Sequence, residues 1–170
     1  DTSAAYSHQQ ASILRRMTMR YTGQIQQALE FMKLPADAVE WLIDVWDVCQ
    51  LLDDACDGDE IGRSRAEAAA WAIFVRMPAN TFWRANMANL MPVLAVQVLK
   101  WQAANEAEDE GVSDERSFMW RAGYYDLVLL VCQLCGLAQD PKFILSHYGE
   151  TYFSYADEMR APNTIVEEAS

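Results

Sequence analysis

The chain has 170 residues, of which 52% are hydrophobic and six are tryptophan, and it carries a formal net charge of −12. That length and apolar content supply one sizeable core and exclude intrinsic disorder. The charge argues against binding along a nucleic-acid backbone, which needs a basic face to release counterions, and favours divalent cations or a basic protein partner.

The opening stretch DTSAAYSHQQ is polar and no apolar export segment follows it, so a cytoplasmic location is expected. Leu14, Met17, Tyr21, Ile25, Ala28 and Met32 recur at helical spacing and predict a first helix over 6–33. Leu34-Pro35 breaks that rhythm, and Pro35 can open a second helix over 37–57 because an N-terminal position needs no amide donor. Gly58 is the natural left-handed stop. Ser64 and Glu67 form a Ser-x-x-Glu capping box ahead of an alanine-rich helix that Pro78 closes. Thr81 is placed to cap a long helix to about Glu108, which Pro92 is expected to kink or split. Ser113 is placed to cap a fifth helix running to Cys135, with Gly136 just beyond, and Asp140-Pro141 begins a sixth. The apolar run Leu127 to Leu137 is too short to span a bilayer. No period-two alternation suggests a strand. The expectation is an all-α bundle of five to seven helices forming a single domain over 1–160, with a flexible tail over 161–170.

Between Lys33 and Arg63 lie nine acidic residues and no basic one. On the second helix Asp37, Glu40, Asp44, Asp47 and Asp54 fall within an arc of roughly 100°, with Asp57 about 60° beyond it. Like charges at these spacings destabilise a helix by a few tenths of a kcal/mol per pair. Compensation must come from a cation, from basic residues elsewhere in the fold, or from a basic partner.

Asp53-Asp54-Ala55-Cys56-Asp57-Gly58-Asp59 is the sharpest motif. Hard divalent cations such as Mg²⁺ or Mn²⁺ take carboxylate oxygens, and carboxylates at a helix C-terminus oppose the macrodipole unless something neutralises them. Asp47, Asp54 and Asp57 are the candidate metal ligands, with Asp59 as a further ligand or water-orienting base and Arg121 as a phosphate clamp. If buried, Arg121 should face carboxylates, with Asp126, Glu106 and the strip as candidates, and Asn86 and Asn105 beside them. The cysteine pairs Cys49/Cys56 and Cys132/Cys135 read as small core residues. His8 and His147 lack nucleophile partners legible in the sequence.

The Asp-Asp-x-x-Asp stretch resembles the diphosphate-binding motif of trans-prenyltransferases and class I terpene synthases, which implies diphosphate chemistry through Mg²⁺. More broadly, Asp53 to Asp59, Asn80-Thr81-Phe82-Trp83 with Asn86 and Leu90, Trp101 with Asn105 and Glu106, and Arg121 with Tyr124 and Tyr125 resemble small uncharacterised helical proteins of tailed bacteriophages. That resemblance implies a phage or prophage source and action in the host cytoplasm. The leading expectation is a helical protein with an Asp-rich divalent-metal site, and, if an enzyme, a metal-dependent phosphohydrolase or diphosphate-utilising one. The alternative is a non-enzymatic acidic interaction protein, such as a phage inhibitor of a basic host factor.

Overall fold

The computed structural model describes residues 25–146, and those residues form helices and turns with no strand among them. Helix α1 covers 25–31 and ends where Lys33 takes a left-handed conformation, φ 57°. Helix α2, Ala36–Cys56, starts directly after Pro35. It stops at Gly58, φ 78°, where the Asp59 amide donates back to the Asp54 carbonyl at 2.9 Å. A glycine tolerates that left-handed turn, and the back-bond satisfies a carbonyl the helix end leaves open.

The next segment runs as α3, Arg63–Trp71, a π-helical turn Ala72–Arg76, and the short α4, Met77–Ala79. Two local expectations fail here. The Ser64/Glu67 capping box does not form: α3 starts two residues earlier, with Gly62 rather than Ser64 at the cap, and Glu67 accepts from Arg63 at 2.7 Å. Nor does Pro78 close the helix at Met77: it lies within α4, which continues directly from the π-helical turn and ends at Ala79. The long α5, Thr81–Asp109, is capped by Asn80 rather than Thr81, with the Asn80 side chain accepting from the Trp83 amide at 3.0 Å. It stays a single helix through Pro92, flanked by the buried Leu90 and the half-buried Val93 and Leu94.

The predicted fifth helix is two. Asp114, not Ser113, caps α6, Glu115–Arg121, in a reciprocal box with Ser117, and α7 follows at Tyr124–Leu134. The break falls at Ala122-Gly123, where a Cβ on Gly123 would overlap the Gln97 side-chain oxygen of α5. Gly136, φ 71°, follows α7, and α8, Pro141–Leu145, is capped by Asp140.

Polar contacts give the directions of the helices. At their starts, α2 and α5 are joined by Asn80 Nδ2 donating to the Asp37 carbonyl at 2.8 Å and by Thr81 Oγ1 donating to Asp37 Oδ2 at 2.5 Å. Towards their ends, Trp101 Nε1 donates to Asp53 Oδ1 at 3.1 Å. The two helices are therefore parallel, and their carboxyl ends share one pole of the bundle. Helix α7 runs against α2: Tyr124 Oη donates to the Leu42 carbonyl at 2.9 Å, and Cys132 lies by Met32. Between these three helices Trp41, Leu42, Leu90, Leu127 and Val131 are fully buried, each adding roughly 1.5–3 kcal/mol of transfer free energy. Trp41 stacks on Trp83 at 5.4 Å and Trp46 meets Tyr124 edge-on at 5.1 Å. No helix among the described residues is long and apolar enough to cross a membrane.

Candidate functional site

The acidic strip of α2 is met by the segment that returns along it. Arg65 of α3 pairs with Asp54, and Arg76 at the end of the π-helical turn pairs with Asp44. Eleven residues separate the two arginines and ten separate their aspartates, spans of about 16 and 15 Å along helices, so α3 to α4 lies antiparallel on α2 in matched register. Asp44 is 6% exposed, and Arg76 Nε donates to both its oxygens at 3.0 Å. The Asp44 hydrogen bonds hold the Arg76 guanidinium above its ordinary pKa, against partial desolvation. Thr81 adds a hydroxyl contact to Asp37, so arginines answer Asp44 and Asp54 and a neutral donor answers Asp37. Of the three sources of compensation that the charge pattern left open, basic residues from elsewhere in the fold supply this part.

The remaining negative charge gathers where α2 and α5 end. Arg121, at the close of α6, reaches into this pole and joins the two helices. Its Nη1 pairs with Asp53, its Nε donates to Glu108 Oε1 at 2.9 Å, and its Nη2 pairs with Glu108 and donates to Asn105 at 3.1 Å. Burial opposes the guanidinium charge, but the Glu108 hydrogen bonds and the charge of Asp53 outweigh it and raise the pKa. Around this cross-link Asp57, Asp59, Glu60, Asp109 and Glu110 are exposed. The Asp57 carboxyl is pushed up to about 6, first by partial desolvation and then by Asp53, with Asp59 and Glu108 adding and Arg121 opposing. Asp59 is also raised, by desolvation and then by Asp54, with Arg65 opposing. Arg121 and the nearby Arg65 leave the pole with more negative than positive charge.

The site residues expected from the sequence are thus placed differently from one another. Asp47 is exposed and lies two turns, about 10 Å, before Asp54 on an unbroken helix, too far for both to hold one ion. Asp54 is paired with Arg65, whereas Asp57 sits one turn from Asp53 on the Arg121 side. Asp47, Asp54 and Asp57 therefore do not fit a single Mg²⁺ or Mn²⁺ centre, and no group of three Asp, Glu, His or Cys among the described residues is arranged to hold a metal. The Arg121 fork already donates from all three nitrogens to protein acceptors, so it is a cross-link before it is a phosphate clamp. Its partners are neither Asp126, which takes Lys100 at 2.7 Å, nor Glu106. Asn86 donates to the Phe82 carbonyl within its own helix and lies outside the pole network.

Asp53 and Glu108 were missed as members of this network. The signal was present, because Trp101, Asn105 and Glu108 follow one another at helical repeats and so share a face of α5. The cysteine expectation needs correction too: Cys132 is buried and Cys135 half-buried, but Cys49 and Cys56 are exposed. His8 and His147 lie outside the described residues. Comparison of the chain with known protein families, with curated proteins and with solved structures found no match.

Proposed function

We propose that the chain works as a binding protein whose acidic pole receives a basic segment of a partner. The observation that carries this reading is the surplus of exposed carboxylate around Arg121, namely Asp57, Asp59, Glu60, Asp109 and Glu110, with Asp53, Asp59 and Glu108 adding to the desolvation that pushes Asp57 up to about 6. A partner's lysines or arginines relieve that repulsion, speed encounter and give specificity without a deep cavity. The parallel ends of α2 and α5 aim two helix dipoles at the same place, which adds to the negative potential. The resemblance to phage proteins makes a basic factor of a host cell the expected class of partner.

The test uses a fluorescent ten-residue oligo-arginine peptide and reads anisotropy at low and high salt. Asp59→Lys/Glu60→Lys should weaken binding about tenfold more than the control pair Glu30→Lys/Glu40→Lys, which makes the same charge change at exposed positions well before the carboxyl end of α2. Equal weakening by both pairs refutes a defined site.

A second reading keeps a divalent cation, with chemistry on phosphate compounds. It draws on the same Asp57, whose carboxyl is raised by desolvation first and then by the neighbouring Asp53, Asp59 and Glu108. Asp57 and Asp59 with water are the donor set it requires, since Mg²⁺ is often held by one or two carboxylates. Thermal melts in EDTA and then in Mg²⁺ or Mn²⁺ separate the readings. A cation-dependent rise that Asp57→Asn/Asp59→Asn abolishes supports the ion, and no rise excludes it.

A further inference from the structure

The outward face of α5 has the wrong chemistry for a surface left to water. From Ala85 to Leu99 the helix carries no charged residue, a span of about 22 Å. Met87, Met91, Val98 and Leu99 are 52%, 57%, 51% and 64% exposed. On the helical wheel these four fall within an arc of roughly 120°, with Val96, 52% exposed, about 60° beyond its edge, and the arc faces away from the buried Phe82, Leu90 and Ala104 on which α5 packs inward. A solvent-facing helix normally carries charges on that side, and a continuous apolar stripe marks a surface that something covers.

We infer that this stripe pairs with the same stripe of a second copy, antiparallel about a two-fold axis at Ala95. The charges at the stripe's ends select this occupant. The exposed Arg84 lies on the stripe at its amino end and the exposed Glu106 at its carboxyl end, each eleven residues from Ala95. Antiparallel pairing about Ala95 sets Arg84 of each copy against Glu106 of the other, giving two ion pairs, while Met91 meets Leu99. Ala95 at the axis has a small side chain, so the helices can approach closely. Pairing parallel or about another centre loses this match. It also suits a chain of charge −12, because the uncharged stripe is a place where two copies can touch without bringing acid against acid. The four large side chains and the small residues between them offer on the order of 500 Å² per copy. The flanks add to that, towards the roughly 800 Å² per partner of a standard interface. An isologous pairing closes on itself.

The test is sedimentation velocity and light scattering on the full chain from about 1 to 100 µM. The expected species has twice the 19.3 kDa chain mass. Arg84→Glu and Glu106→Arg should each weaken association about tenfold, and the double variant should restore it by re-forming the pair in reverse. Both residues are exposed, so melting temperatures should stay close to that of the parent. In a Cys49→Ser/Cys56→Ser background, Ala95→Cys should cross-link to its own copy under mild oxidation. A monomer throughout the concentration range overturns the inference, as does a dimer indifferent to the charge reversals or a double variant no better than the singles.

Discussion

Replacing Arg121 with Met removes the cation that joins the ends of α2, α5 and α6. The side chain is 17% exposed and faces Asp53 at 26% and Glu108 at 14%. Breaking a buried ion pair by deleting one partner costs about 3–5 kcal/mol, since the surviving charge keeps its desolvation penalty without compensation. These carboxylates keep some water, so the lower end applies, about 3 kcal/mol, which is on the order of 10 °C in melting temperature for a chain of this size. The assay is urea unfolding at pH 7 followed by circular dichroism. Arg121→Met should shift the midpoint without changing the slope. Adding Asp53→Asn and Glu108→Gln should recover at least half the loss, because neutral amides no longer repel. A loss below about 1 kcal/mol, or a triple variant no more stable than the single one, would refute the claim that Arg121 neutralises the pole.

In the α3–α4 segment, the strap that lies antiparallel along α2, the partners Asp44 and Arg76 are unequal, since Asp44 is buried whereas the Arg76 side chain is 54% exposed. Arg76→Ala, which strands a buried carboxylate, should cost about 2 kcal/mol, and Asp44→Asn about half as much, both read from urea midpoints. Gly123→Ala should cost about 1 kcal/mol by pushing Gln97 aside and breaking its hydrogen bond to Asp126, and Gln97→Ala in the same chain should remove most of the penalty. The folded Asp57 carboxyl, at about 6 against an ordinary 3.8, binds its proton more readily than the unfolded chain does. Its contribution therefore makes the protein more stable as pH falls from about 6 to 4. Melting temperatures at pH 7.5 and 5.5 should show a smaller dependence in Asp57→Asn than in the parent, and equal dependence would contradict the assignment.

Much of this protein was decided by local pattern. Helical spacing without alternation meant an all-α chain, and Pro35, Gly58 and Gly136 marked helix ends because proline lacks a donor and glycine accepts a left-handed backbone. The crowding of acid on one face of α2 was likewise legible, since a periodicity of 3.6 residues places side chains by arithmetic alone. Tertiary structure decided what answers that charge. Arg65, Arg76 and Arg121 stand 11, 32 and 68 residues from the aspartates they pair with, and no local rule relates positions so far apart. The parallel run of α2 and α5 then separated Asp54, held by the strap, from Asp53 and Asp57, which join the pole, although the three sit within five residues. Adjacent carboxylates on a helix point 100° apart, so their fates are settled by which neighbour each one meets.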